Sequence, residues 1–279
     1  MEILTNITLT FLVALVISLV TSPELVKIVN HLRLPEQIFI FSEKGKPIPT
    51  LGGIAIFFSF VLASTIGLIG DEMSELSYIL TAGMLIFFSG LKDDILTIPY
   101  YKTIIAQLIT AFVLIFPGRI HLTNLHGIFG LGSIGAFPGA IITGFVIIVT
   151  MNAFKILGGV NLWAKGLALM IVFVLGSWFA VNRFSDYAIL SFSLIGSIGG
   201  FCYYNIANQQ NKIALGNNGS LFVGMIISVL LIRFNELAIF TKAYSGVVWL
   251  IILLFACVSI LFLNAIGFRP PRKLVKQEK

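Results

Sequence analysis

Nine long apolar stretches, separated by short polar segments, set the pattern of this chain. They run approximately over residues 4–23, 52–70, 76–91, 103–118, 138–154, 164–182, 186–204, 219–234 and 246–267. Each comes close to the ~20 residues with which a helix crosses the hydrocarbon core of a bilayer. Helices are expected because an isolated strand cannot satisfy its backbone in lipid. The pattern therefore predicts an all-α polytopic membrane protein of about nine transmembrane helices, forming one integral domain over residues 1–279. Only Glu2 precedes the first stretch, with no basic lead and no small-residue cleavage site. That stretch is expected to stay as a helix rather than leave as a signal peptide.

Composition agrees with a lipid solvent. Apolar residues make up 58% of the chain, charged residues 11%, and the mean hydropathy is +1.02; a soluble domain carries about 25% charged residues. Numbering the connections alternately sorts the basic residues by side. Of the 18 lysines and arginines, only Arg119, Arg183, Arg233 and Lys242 fall on one side. The richer side is then cytoplasmic, with the N-terminus outside and the C-terminus inside. The formal charge of +6 is read as this topology signal. No nucleic-acid partner is expected, since no basic, aromatic-rich soluble domain is present. Cys202 and Cys257 fall inside apolar stretches and read as small hydrophobes. His31, placed in the first cytoplasmic loop, and His121 and His126, in an outer glycine-rich hairpin, are too scattered for a metal. The glycines of "GSIGG" (196–200) permit close helix packing.

Four unusual polar segments converge on the cytoplasmic side: "SEKGKPIPTLGG" (42–53), "GLKDDILTIPYYK" (90–102), "NAFKILGGVNLWAKG" (152–166) and "NQQNKIALGNNGS" (208–220). The prolines of the first stiffen an extended segment, and its diglycine lets backbone approach a ligand or helix. Asp93 and Asp94 in the second are adjacent carboxylates at a helix end. They suit either a solvated terminus or a Mg²⁺ held with substrate phosphates. The third reads as a loop without acid, histidine or cysteine. "GNNGS" in the fourth presents backbone N–H groups to a phosphate or forms a turn with an N-cap at Ser220.

Taken in order, these segments resemble the polyprenyl-phosphate N-acetylhexosamine-1-phosphate transferases of glycosyltransferase family 4. The resemblance runs from the first stretch to about Gly224. "PIPTLGG" is similar to the family's P-T-x-x-G-G motif. "LKDDI", with Lys102 and Gln107 following, resembles its double-aspartate motif. "NAFKILGGVNLWAKG" resembles N-A-F-N-L-I-D-G-x-D-G-L-A-x-G, and "KIALGNNGSLFVG" resembles K-I-F-M-G-D-T-G-S-L-F-x-G. The resemblance implies transfer of a sugar-1-phosphate from a UDP-sugar to polyprenyl phosphate, in cell-envelope glycan synthesis at the cytoplasmic face of a bacterial inner membrane. An oxygen of the lipid phosphate attacks the β-phosphorus and UMP leaves. Such chemistry rests on positioning and charge neutralisation. It also implies Mg²⁺ on Asp93 and Asp94, with these two as ligand and base. Substrate contacts would come from Lys44, Lys46, Lys102, Asn152, Lys155, Lys212, Gly216, Gly219 and Ser220.

The departures from the family pattern are as informative. Its two aspartates of the third motif fall at Gly158 and Asn161, and its metal-binding aspartate of the fourth at Asn217, which could offer only a neutral carbonyl oxygen. Lys155 stands for an asparagine, Leu162 for a glycine, Ala214 for an aromatic residue and Asn218 for a threonine. The Pro-x-x-Asp of the ninth span has no counterpart in "ACVSILFLNAIG", and the histidine loop beyond it none in "RPPRKLVKQEK". Loss of a catalytic base alone costs roughly 10²–10⁴-fold in rate. Two classes of function stay open: a weak or specialised transferase, and a non-catalytic paralogue that binds polyprenyl phosphate or a partner membrane enzyme. Assembly as a homodimer is left open as well. A transporter ranks third, because no acid lies well inside a span.

Overall fold

The computed structural model describes residues 2–31, 38–41, 47–68, 75–96, 98–128, 131–157, 162–208 and 210–238. In chain order the elements are α1 (Glu2–His31), β1 (Phe39–Phe41), β2 (Pro47–Pro49), α2 (Gly52–Gly67), α3 (Leu76–Leu96), α4 (Tyr100–Ile115), β3 (Asn124–Ile128), β4 (Leu131–Ser133), α5 (Ala136–Leu157), α6 (Leu162–Val181), α7 (Ser185–Ala207) and α8 (Gly216–Leu237). The first eight apolar stretches each form a helix; the ninth, 246–267, lies outside the described residues. Leu4–Val29, Ala136–Ile156, Ser185–Ala207 and Gly216–Leu237 are long and apolar enough to cross a membrane, whereas Gly52–Gly67, Tyr100–Ile115 and Lys165–Val181 are apolar but shorter.

Several helices run past their apolar stretches into the polar flanks. α1 continues through Pro23 to His31, so His31 sits in a helical last turn and not in a loop. The turn around the proline is supported by hydroxyls: Ser22 donates to the Ser18 carbonyl at 2.7 Å and Thr21 to that of Ile17 at 2.8 Å. The third polar segment is not one loop either. Asn152 and Lys155 belong to α5 and Lys165 to α6, and residues 158–161 between them lie outside the described set.

α8 is the most enclosed helix and packs against α2, α3, α5 and α6. Its residues from Asn218 to Ile232 are all buried. α7 packs against α1, α2 and α6, and α4 bridges α3 and α5. The expected close packing at "GSIGG" is present. A side chain at Gly200 would sit 2.7 Å from the Leu15 carbonyl of α1, and Gly196 lies as tightly against Phe11. That approach brings the Ser18 hydroxyl to the Ser197 carbonyl at 2.7 Å. Outward faces carry Leu4, Leu12, Phe112, Phe145 and Phe173 exposed, which is the arrangement lipid favours.

The two ends of the bundle are locked differently. Stacked rings of Phe57 and Phe87, 4.1 Å apart, with Phe222 edge-on to Phe57, join α2, α3 and α8 near one end. A short antiparallel ribbon of β1 and β2 closes that end, with Val29, Ile38 and Leu51 buried beneath it. At the other end stands the expected glycine-rich hairpin, β3 paired antiparallel with β4. Arg233 of α8 pairs there with Glu75, which also accepts the Tyr187 hydroxyl at 2.7 Å, and donates to the Arg119 carbonyl at 3.1 Å. Glu236 holds Thr123 through its N–H at 2.8 Å and its hydroxyl at 2.6 Å. From Gly216 to Arg233 a helix rises about 26 Å, close to the hydrocarbon thickness of a bilayer. Arg233→Met leaves Glu75 with only the tyrosine and should lower stability by about 2 kcal/mol. Thermal unfolding in detergent measures it; a variant melting with its parent would make the cluster energetically idle.

Candidate functional site

The site is built from the starts and ends of helices, because those are where backbone groups are left without intrahelical partners. α8 begins at Gly216, whose φ of +75° only glycine adopts without strain. The residue before the helix is Leu215, which makes no side-chain cap. Ser220 is therefore not the N-cap that the sequence suggests: its hydroxyl donates back to the Gly216 carbonyl at 2.7 Å, one turn inside the helix. The cap comes from α3 instead. Asp94 accepts the backbone N–H of Asn217 at 2.9 Å and that of Asn218 at 3.0 Å. A carboxylate at a helix N-terminus is favoured both by those hydrogen bonds and by the helix dipole.

Asp93, the neighbouring acid, faces α5. Its Oδ2 accepts the Lys155 ammonium at 2.9 Å and the Asn217 side-chain NH₂ at 3.1 Å. Both aspartates are buried. Burial pushes the Asp94 carboxyl up, to about 7, against the pull of the Asn218 and Asn217 N–H groups; Asp93 adds to the rise and Lys155 opposes it. The pair is thus not a solvated helix end. It is the junction of three helices.

The first motif joins the same junction by its backbone. Gly52 and Gly53 donate to the carbonyls of Ala214 and Leu215, both at 2.9 Å, and Ala214 donates to Pro49 at 2.8 Å. A side chain at Gly53 would run into the Gly219 backbone and the Asn218 amide, and one at Gly90 would sit 2.6 Å from the Asn218 Cα. The glycines serve helix-to-helix contact here. Asn152 points at α4, exchanging two amide hydrogen bonds with Gln107 at 2.9 and 3.2 Å.

The structure thus gathers Asp93, Asp94, Lys155, Asn217, Gly216, Gly219 and Ser220 in one place. Lys212 stands half-buried on the segment leading into α8, and Lys102 is exposed at the start of α4, 6.0 Å from the Tyr101 ring. Lys44, Lys46, Gly158 and Asn161 lie outside the described residues. Lys165 escaped the sequence reading. It is buried among α5, α7 and α8 with its ammonium 4.9 Å from the Phe201 ring. A charge flanked by apolar residues in "LWAKGLALM" was the available signal. Half-buried Cys202 is a free thiol.

The donor set does not fit the divalent cation that the resemblance implies. Mg²⁺ takes six oxygens in near-octahedral order. Both Asp94 oxygens already accept N–H groups, and the Asp93 oxygen on that side accepts two more donors. Asn217 turns its NH₂, not its carbonyl, toward Asp93. The buried polar atom left without a partner here, Asn218 Nδ2, is a further donor. Among the described residues no group of three or more histidine, cysteine or acidic side chains is placed to hold a metal. An ion at 4 Å from the Lys155 ammonium would be repelled by about 8 kcal/mol at an effective dielectric of 20, twice the figure for two unit charges.

Comparison with known proteins places this geometry. The family model of glycosyl transferase family 4 matches residues 76–235, which carry three of the four motifs. An undecaprenyl-phosphate alpha-N-acetylglucosaminyl 1-phosphate transferase of Salmonella typhi is 26% identical over 230 residues, covering 81% of this chain and 60% of that protein. A phospho-N-acetylmuramoyl-pentapeptide-transferase of Sulfurimonas denitrificans is 28% identical over 218 residues, 66% of this chain and 59% of that protein. A protein of Saccharolobus solfataricus, provisionally assigned as a UDP-N-acetylglucosamine–dolichyl-phosphate N-acetylglucosaminephosphotransferase, is 30% identical over 207 residues, 69% of this chain and 62% of that protein. The chain spans less than two thirds of the length of each of these relatives. The four bilayer-length apolar helices among its described residues and this kinship make it an integral membrane protein. The matched region covers more than half of the 279 residues and contains the Asp93–Asp94 junction, and on that match the chain belongs to glycosyl transferase family 4.

Proposed function

We propose that this chain is a polyprenyl-phosphate sugar-1-phosphate transferase by descent, facing the cytoplasm of a bacterial inner membrane, in which transfer is reduced or lost. The family match and the names of its relatives support the substrate class, a UDP-sugar and polyprenyl phosphate. One observation carries the loss: Lys155, Asn217 and Asn218 of the chain itself occupy Asp93 and Asp94. A general base needs a lone pair within reach of the proton that it removes. Asp94 commits both oxygens to the α8 N-terminus and Asp93 commits Oδ2 to Lys155 and Asn217, so those lone pairs are not aimed at a substrate proton. No second acid takes over at Asn217. Lys102 and Lys212 remain as cations that can attract a phosphate at the membrane surface, so binding outlasts turnover in this reading.

Purified protein given radiolabelled UDP-sugars and polyprenyl phosphate, with and without Mg²⁺, should transfer label at background level. Gly158→Asp with Asn161→Asp and Asn217→Asp should gain partial transfer, with Lys155, Leu162 and Ala214 left as they are. Robust transfer by the unmutated protein, abolished by Asp94→Asn, would overturn the reading and leave a working two-aspartate transferase. Retained binding of polyprenyl phosphate without transfer would favour the non-catalytic paralogue.

A further inference from the structure

We propose that the Lys155 ammonium is a built-in cation that closes the Asp93–Asp94 pair to divalent metals. The inference concerns the same site as the proposed function, but it stands on the geometry of one ion pair and fails or holds separately from it.

Lys155 reaches Asp93 from another helix, 62 residues away in sequence, and its Nζ lies 2.9 Å from Oδ2. The Lys155 and Asp93 side chains are only 19% and 11% exposed. An exposed pair trades freely with dissolved ions, whereas a withdrawn pair holds its partner because separation leaves a buried charge alone. The Tyr100 ring covers the ammonium from α4 at 6.0 Å. The charges also close. The two carboxyls carry at most two negative charges. Lys155 supplies one positive charge, and the α8 N-terminus supplies roughly half an elementary charge to Asp94. Little is left for a doubly charged ion to neutralise. The donors agree with the count, because Asn217 and the α8 backbone all present N–H to the acids. A metal held by both acids through these three oxygens would have to displace Lys155, turn the Asn217 amide and detach Asp94 from the helix at once.

The test is Mn²⁺ binding to the full-length protein in nanodiscs, read by electron paramagnetic resonance of free and bound ion. The parent and Lys155→Arg should bind no Mn²⁺ that Asp93→Asn removes. Lys155→Asn should bind about one ion per chain, on the order of 100-fold more tightly than the parent, because a like charge at ion-pair range is gone. Adding Asp93→Asn should abolish that binding. Lys155→Gln is the second opening variant, should the asparagine protein not elute as a folded species. An Asp93-dependent Mn²⁺ site in the parent would overturn the inference whatever the variants do. So would folded opening variants that bind no better than the parent. Since the readout is the ion and not the sugar, a parent that excludes Mn²⁺ yet transfers sugar overturns only the proposed loss of activity.

Discussion

Protein carrying Gly53→Val should fail to assemble the end of the bundle that holds the aspartates. The expected loss is on the order of 4 kcal/mol, a large part of the 5–15 kcal/mol that typically separates a folded domain from its unfolded state. Gly53 opens α2 against the start of α8. A Cβ there would overlap the Gly219 N and Cα and the Asn218 Oδ1, and from the opposite side a Cβ on Gly219 would stand 2.7 Å from the Gly53 Cα. These are backbone atoms and a fully buried amide, so no flexible side chain can swing away. Relief requires α2 to move off α8. Overpacking of this kind costs about 1–3 kcal/mol. The movement also stretches the Gly52–Ala214 and Gly53–Leu215 hydrogen bonds, at about 1 kcal/mol each. Gly166→Ala is the control. Nothing lies within 4 Å of its Cβ, and it is exposed on α6, so alanine should be neutral or stabilising by up to about 1 kcal/mol. Thermal unfolding and elution profiles of both variants settle the comparison. Equal behaviour would mean that the two helices are not in tight register.

Lys155→Met should be the most damaging single change among the charged groups when metal is kept out by chelator. It leaves Asp93 buried with the neutral Asn217 amide as its donor. Removing one partner of a buried pair costs about 3–5 kcal/mol, and the surviving amide together with partial exposure argues for about 3. Asp93→Asn alone should cost less, since Lys155 sits at the helix end and is the more exposed partner. The double variant should recover most of the loss, because no unpaired charge remains. A double-mutant cycle isolates the coupling. A coupling near zero would reduce the pair to a surface contact and would weaken the case for a built-in cation.

The sequence by itself determined the solvent, the helices and the kinship. Apolar stretches of bilayer length predict helices whatever surrounds them, because lipid leaves the backbone no other partner; eight of the nine stretches are helices here, and the ninth lies outside the described residues. The prolines and glycines of "PIPTLGG" marked an extended segment running into a helix, and β2 and α2 follow it. The four motifs were legible because each is a local string, and the family match, which spans three of them, bears out the resemblance. Hydropathy located the helix ends poorly. α3, α5 and α8 all continue into polar residues, since a helix persists wherever its terminal N–H and carbonyl groups find partners. Those partners came from other elements: Asp94 caps α8 across 123 residues of sequence.

Only the tertiary structure decided which groups the aspartates meet. Adjacent acids at a helix end look alike in sequence whether they face water, a metal or a lysine. The sequence offered Lys155 as a substrate contact and Ser220 as a cap; packing instead set Lys155 on Asp93 and turned Ser220 back on its own helix. Electrostatic partnership depends on distances of 3 to 4 Å between residues that no local pattern links. The close approach of α2, α3 and α8 at Gly53, Gly90 and Gly219, and of α8 and α5 at Gly224, sets those distances.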